Sequence, residues 1–248
     1  MKVQTFKTKK IRPGDNLYRI FDSSLPQLTE KSVVVITSKI VALCENRVVS
    51  PQELHKKNEL VPREADYYIE PKYNQYGFYL TIKNGVLVAQ AGIDASNAAG
   101  KLVLWPKDAQ KSVETIWKHL RKKFQLKHLG ILITDSRLSP LRWGTTGVTI
   151  GYCGFAALND YRGQPDIFGR PLKYTQTAVA DGLAASAVLV MGEGNEQTPL
   201  AVVTDIPFVK FQLRIPTEGE IKKLRISLEK DVFSPFLNSP LWKRGGNK

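Results

Sequence analysis

The sequence predicts an α+β fold with mixed or antiparallel sheets and packed helices. Three observations carry that expectation. The stretch YGFYLTIKNGVLVAQAGID (76–94) places two apolar runs around Asn84-Gly85, the strongest short hairpin signal. Continuous β-branched runs such as KSVVVITSKIVA alternate with helical patterns only irregularly, which argues against a simple doubly wound parallel sheet. The chain of 248 residues is long enough to bury a sizeable core, and it has no repeat, low-complexity linker or composition break. One large domain over 1–248, or two lobes without a clear linker, is expected.

Each element has its own signal. DNLYRIFDSSL reads as a short amphipathic helix that starts at an Asp cap. KSVVVITSKIVA reads as a buried strand ending in a Ser-Lys pair. In SVETIWKHLRKKF, Val113, Ile116, Trp117, Leu120 and Phe124 recur at helical spacing behind a capping candidate, Ser112. LGILITDS, GVTIGYCGFAAL and PLAVVTDIPF are further strands. TAVADGLAASAVLVMG is apolar nearly all round, so it is expected as a buried helix. EGEIKKLRISLEK is an exposed helix candidate, and its tail, FSPFLNSPLWKRGGNK, is expected to be irregular at its end.

Composition narrows the function. Lys and Arg outnumber Asp and Glu by 36 to 23, a net charge of +13, which suits a polyanionic partner. The basic cluster Lys118–Lys127 lies on the wet face of the amphipathic helix, and aromatics do not interleave with the basic residues. Nucleic-acid binding therefore ranks as the rival to a phosphorylated small molecule. The N-terminus lacks a signal-peptide core and no apolar run spans a bilayer, so a cytoplasmic protein with no membrane partner is expected. Cys44 and Cys153 are too few for a disulfide framework. His55, His119 and His128 are scattered, so any metal must sit on oxygen ligands.

Three places put oxygen ligands at strand or helix ends. Asp94 follows a strand, with Ser96 and Asn97 in the next turn. Asp135-Ser136 closes an apolar run, with Arg137 and Arg142 just beyond. Glu193 sits between Gly192 and Gly194 after the apolar helix. Hard cations such as Mg²⁺ or Mn²⁺ take such ligands and fill the remainder with water and substrate phosphate. Taken singly, the same residues also read as turn residues bonding their own backbone, and the Gly pair as a helix C-cap. Arg162 and Arg170 lie in a Gly/Pro-punctuated loop; they suit phosphate or carboxylate, and equally suit ion pairs with Asp160 and Asp166. No Gly-x-Ser-x-Gly and no standard nucleotide-binding fingerprint is present.

Taken in order, VVVITSKIV, GIDASN, ITDS, GVTIGYCGFAALNDYRGQPDIFGRPLK, TAVADGLAASAVLVMGEG and the late strand resemble the coenzyme F-420 γ-glutamyl ligase family. The resemblance runs from about Ile11 to Asp205 and is densest from Asp94 to Thr198. It implies a two-lobed α+β fold, an intertwined homodimer and an active site near the dimer interface. It implies that L-glutamate is joined to a carboxylate of a deazaflavin cofactor precursor with GTP and divalent metal. Asp94 and Asp135 look like ligands of one Mg²⁺ or Mn²⁺, and Ser136 and Glu193 like ligands of a second. Ile11, Arg12, Pro13, Gly14, Ser38, Lys39 and Asn97 look like contacts of the nucleotide, GTP or ATP. So does the loop Met191, Gly192, Gly194, Asn195, Glu196, Gln197 and Thr198. Arg142, Arg162 and Arg170 are candidates for holding phosphate or carboxylate during an acyl-phosphate reaction.

The chain departs from the family pattern near the site. Ala42-Leu43-Cys44-Glu45-Asn46 stands where a lysine is expected after Ser38-Lys39, so one nucleotide contact is lost at Leu43. RLSPLRWG follows Asp135-Ser136 where a sequence like FGRPWR is usual, and ADGLA replaces ADELA. The DSRLSPLRWG and GEGNEQTP variants resemble bacterial members of the family assigned to folate metabolism. A folate-type or unidentified polyanionic acceptor is therefore expected first, and the deazaflavin second.

Overall fold

The computed structural model describes residues 1–50 and 57–246; His55 lies outside the described residues. Strand β1 (Lys2–Phe6) is followed by α1 (Leu17–Ser24), β2 (Ser32–Thr37) and α2 (Ser38–Cys44). The next segment carries β3 (Val48–Val49), α3 (Lys57–Glu64), β4 (Tyr67–Ile69), β5 (Leu80–Lys83), β6 (Val86–Ala89) and β7 (Leu102–Val103). Then come α4 (Ala109–Phe124), β8 (Leu129–Leu138), β9 (Thr145–Cys153), β10 (Leu158–Asp160) and β11 (Gln176–Ala178). The chain ends with α5 (Val179–Met191), β12 (Leu200–Thr204), α6 (Glu218–Lys223), α7 (Ser234–Leu237) and β13 (Lys243–Arg244).

The main sheet has five strands in the order β1-β12-β2-β8-β9. Only β2 and β8 run parallel, and every other pairing in it is antiparallel. Both faces are covered. Val34 and Ile36 of β2, Leu129, Ile131 and Ile133 of β8, and Leu200 and Val202 of β12 point into one core with α1 and α4. Val33 and Val35, Leu132, and Ala201 and Val203 point the other way, onto α5. Strand side chains alternate between faces, so a strand covered on both sides must be apolar throughout. This explains the unbroken hydrophobic runs in the sequence.

A smaller lobe is built from the chain between β2 and β8, with the late strand β13 added at its edge. It holds the antiparallel sheet β13-β4-β5-β6 and the pair β3-β7. Its own core contains Leu60, Val61, Ala65, Ala91, Ile93, Leu102 and Leu104. Val86 and Val88 of β6 pack into the main core instead, so no linker separates the lobes. Asn84 and Gly85 both adopt positive φ between β5 and β6, as a two-residue hairpin requires. The α+β class and the two-lobed, mixed-sheet architecture match expectation.

Several local expectations are corrected. The cap of α1 is Asn16, whose side chain accepts the Tyr18 and Arg19 N–H groups; Asp15 instead accepts the Arg12 N–H. The cap of α4 is Asp108; Ser112 lies inside the helix and donates to Glu45 at 2.6 Å. The Ser38-Lys39 pair opens α2 rather than ending a strand. Helix α5 buries one side on the sheet but leaves Leu189 84 % exposed, so it is not enclosed. The exposed C-terminal helix is only six residues long and opens with a Thr217–Glu220 capping box. Cys153 is buried and Cys44 half-buried, and burial pushes both thiols up to about 12, so neither is a reactive thiolate near neutral pH.

Candidate active site

The parallel pair β2-β8 creates the site. In open α/β sheets ligands bind beyond the carboxyl ends of parallel strands. Here the chain leaves β2 at Thr37 and turns into Ser38-Lys39, while β8 reaches Asp135 beside it. Asp135 continues the Ile131–Ile133 face of β8, and Ser136 the opposite face. The two neighbours therefore reach different partners.

On the first face, Lys39 Nζ lies 2.6 Å from Asp94 Oδ2. The same ammonium donates to the Ser96 carbonyl at 2.9 Å and the Ser96 hydroxyl at 3.0 Å. Ser96 donates its N–H and its hydroxyl back to Asp94, at 2.7 and 2.9 Å. Burial pushes the Asp94 carboxyl up, but Lys39 and these donors outweigh it and hold it below its usual range. Asp135 has no such relief. It accepts the Trp105 indole N–H and the Ser136 N–H, yet burial, with the nearby Asp94 charge, pushes it up to about 6.

Trp105 is itself fixed from behind. Its carbonyl accepts Arg47 Nε at 3.2 Å, and Lys83 Nζ lies 5.5 Å from its ring centroid. Gly92, at φ +69°, sits so close that a Cβ there would overlap the indole Nε1. Gly92→Ala is therefore expected to displace the indole from Asp135 and to cost about 2–4 kcal/mol from backbone strain plus overpacking. A fall in Tm together with a shifted tryptophan emission would register both effects; an unchanged emission would contradict the contact.

On the second face, the Ser136 hydroxyl donates to Glu193 Oε1 at 2.5 Å, and the Thr145 hydroxyl to the same oxygen at 3.2 Å. Glu193 stands in the loop after α5. That loop is tied to the Asp94 turn through Asn97 Nδ2, which donates to the Gly194 carbonyl at 2.8 Å. Glu196 folds back to accept the Gly194 N–H at 2.9 Å, Gln197 donates to the Thr8 carbonyl at 2.5 Å, and Thr198 donates to the Met191 carbonyl at 2.6 Å. Gly192 and Asn195 are exposed in this loop and Met191 is buried beneath it. Ile11 packs on Leu43, Ala42, Ala98 and Val103, and the Gly14 N–H donates to the Leu43 carbonyl at 2.9 Å. The Arg12–Gly14 turn, with Pro13, thus rests on the C-terminal end of α2, the helix that Ser38 and Lys39 open. The buried Leu43 side chain is part of that support.

The three distant loops therefore meet in one region, as two facing pairs, Asp94 with Asp135 and Ser136 with Glu193. No cluster of three or more His, Cys, Asp or Glu placed to hold one metal occurs among the described residues. The arginines are placed differently. Arg162 grips Asp160 through both Nε and Nη2, at 2.6–3.1 Å, which holds Asp160 down at about 2. Arg142 donates to the Leu141 carbonyl on the exposed β8–β9 turn, and Arg170 lies in the exposed 161–175 loop, its N–H donated to Asp166. None of the three bonds to the four oxygen-bearing residues. Trp105 and Lys83 are the participants that sequence reasoning missed.

Charged and hydroxyl groups from separate loops, gathered at the carboxyl ends of a parallel strand pair, are the arrangement of an α+β enzyme. The chain belongs to the F420-0:Gamma-glutamyl ligase family, whose model matches residues 5–205. It is a ligase of γ-glutamyl bonds. It is 34 % identical to a coenzyme F420:L-glutamate ligase of Methanococcus maripaludis, over 83 % of this chain and 86 % of the relative. A coenzyme F420:L-glutamate ligase of Methanopyrus kandleri is 32 % identical over 78 % of this chain and 82 % of that protein. One from Methanothermobacter thermautotrophicus is 29 % identical over 89 % and 93 %. No helix among the described residues is long and apolar enough to cross a membrane.

Proposed function

We propose that the protein joins L-glutamate to a carboxylate of a deazaflavin F420 precursor, with a nucleoside triphosphate, GTP before ATP, and Mg²⁺ or Mn²⁺. The observation that carries this reading is the meeting of Asp94, Asp135, Ser136 and Glu193 beside Lys39. The Asp94 charge opposes the ionisation of Asp135, and Asp135 has no cationic side chain of its own to bond. That donor set fits a divalent ion with few protein ligands, and Ser136 with Glu193 fits a second. Such ions, when bound, neutralise charge on the transferring phosphoryl group.

The protein's own share is positioning. Lys39 provides a cation for the triphosphate. The 191–198 loop, braced by Asn97, provides backbone N–H groups and flexible polar contacts, and the Ile11–Gly14 turn closes the opposite side. The acceptor carboxylate attacks the terminal phosphate to give an acyl phosphate and nucleoside diphosphate. The glutamate amine then attacks the acyl carbon, loses a proton and expels phosphate. Two routes to the acceptor remain distinct. The departures after Ser136 favoured a folate-type acceptor, whereas the relatives above are named for F420, and the deazaflavin therefore takes first place.

We also read the protein as a homodimer. Leu141 (95 % exposed) and Trp143 (92 %) on the β8–β9 turn, Phe168 (85 %) on the 161–175 loop and Leu189 on α5 are too large a set of exposed apolar side chains for a lone monomer. Arg142, Arg162 and Arg170 lie on or beside these elements, so a partner's site is where they would meet phosphate or carboxylate. Sedimentation of the full chain is expected to give a dimer, and Trp143→Asp is expected to weaken it; a monomer at micromolar concentration would refute this.

The deciding assay combines the protein with L-glutamate, Mg²⁺ or Mn²⁺, GTP or ATP, and either the deazaflavin precursor or a folate. Mass spectrometry is expected to show gain of one glutamate residue on the deazaflavin. Gain on folate alone would reverse the order of acceptors. Gain on neither, with any nucleotide, would overturn the reading.

A further inference from the structure

A cavity of about 200 Å³ lies at the outer edge of β9, lined by the Asn84-Gly85 turn and by residues from 221–231. Strand β9 ends the sheet, so no neighbouring strand satisfies its outer edge. Side chains do so instead. Asp181 accepts the Thr149 N–H at 3.0 Å, and Gln110 both accepts the Tyr152 N–H at 3.3 Å and donates to its carbonyl at 3.0 Å.

Two polar groups in this cavity are left over. Thr149 is only 4 % exposed and its hydroxyl has no hydrogen-bond partner. Arg137 Nε is also buried and without a partner. A buried donor without an acceptor is costly, so such groups mark where a ligand atom belongs. The cavity wall carries charges of both signs, Arg137 and Arg225 against Asp181 and Asp231. None of these four forms an ion pair among the described residues. Two carboxylates would repel a triphosphate or another polyanion. A zwitterion finds a cation and an anion at once. The volume suits an amino acid.

The cavity also adjoins the active site. Arg137 lies two residues beyond Asp135 on the same face of β8, about 7 Å along the strand. Trp105 lines the cavity and donates its indole N–H to Asp135, so one side chain forms the wall between them.

We infer that this cavity is the binding site for free L-glutamate, with Arg137 holding its α-carboxylate, and with Thr149, Asp181 and Asp231 facing its ammonium. The inference rests on the ligase reading above and adds the residues that select the amino acid.

The test is equilibrium dialysis of radiolabelled L-glutamate with the full chain, in the presence of Mg²⁺ and a non-hydrolysable nucleotide. Arg137→Gln is expected to weaken L-glutamate by about 10- to 100-fold, and Arg137→Lys by less. γ-Aminobutyrate, which lacks the α-carboxylate, is expected to compete weakly and equally well in wild type and Arg137→Gln. Thr149→Val, nearly isosteric, provides an independent variant with a smaller loss in the same direction. In turnover, the KM for glutamate should rise in both variants while the KM for nucleotide stays put. Equal glutamate affinity in wild type and in folded Arg137→Gln or Thr149→Val, or no binding to wild type, overturns the inference. Binding with the expected pattern but no glutamate transfer to any acceptor would leave the cavity assignment standing and sink the ligase chemistry instead.

Discussion

Asp135→Asn is expected to abolish metal-dependent ligation while making the metal-free protein more stable at pH 8. Both effects come from one carboxylate. Asp135 closes β8 in a buried setting, where its ionised form lacks water and faces Asp94, and its carboxyl rises to about 6. In the unfolded chain it titrates in the ordinary aspartate range, near 4. Between those values the folded state holds a proton that the unfolded state has released, so stability falls as pH rises through that window. Above pH 6 the folded protein carries the full cost, roughly 3 kcal/mol. Asparagine keeps an oxygen for the Trp105 indole and carries no charge. In EDTA at pH 8 its Tm should exceed wild type by about 5–10 °C, and the difference should vanish below pH 4. Added Mg²⁺ should raise the Tm of wild type and not of the variant. Equal melting of the two proteins at pH 8 would refute the burial argument, and retained turnover would refute the metal role.

Glu64→Ala is expected to be among the most damaging single substitutions away from the substrate. Glu64 Oε2 accepts from Arg47 and from Lys83, each at 2.9 Å. The Lys83 side chain is 9 % exposed. Burial pulls its ammonium below the usual lysine range, against the opposing pull of Glu64. Removing the acid leaves two cations beneath Trp105 with no counter-charge, at a cost of about 3–5 kcal/mol. Urea unfolding should resolve a loss of that size. Glu64→Leu combined with Lys83→Met should recover the share that comes from Lys83, leaving only Arg47, whose side chain is 29 % exposed, without its acid. A loss below about 1 kcal/mol in the single variant would show that water reaches the pair.

Much of the scaffold could be read in advance because its signals are local. The Asn84-Gly85 turn, the β-branched run of β2 and the apolar spacing of α4 each announce themselves within a dozen residues. Errors fell where two local signals coincide. Asp15 and Asn16 are both good caps, and only the second fits the backbone that forms. SKIVALC is apolar at nearly every position, and periodicity cannot separate a short buried helix from a strand. At the site, Asp94, Asp135 and Glu193 could be picked out because acids at the ends of apolar runs are conspicuous. Trp105 could not, because its bond to Asp135 joins residues thirty positions apart and a tryptophan beside Pro106 reads as ordinary core. Lys83 reads as a polar strand end, and only the small lobe's packing buries it. Arg162 illustrates the reverse case, since its pairing with Asp160, two residues away, was visible in the spacing.

The pairing of β8 with β9 slips by one residue between Ile133 and Thr134, which leaves Ile150 as an extra residue on β9. Below the slip, Cys153 faces α4; beyond it, Gly147 faces α5, where a Cβ would overlap the Ala184 carbonyl. Pairing Thr134 with Ile150, without the slip, would leave composition and charge unchanged. It would nonetheless exchange the two sides of the strand from Thr145 to Thr149, pressing a valine against the α5 backbone and turning the Thr149 hydroxyl toward Trp105. The catalytic end of this enzyme is thus phased independently of its core, and a relative without the slip could keep every hydrophobic residue and still lose its chemistry.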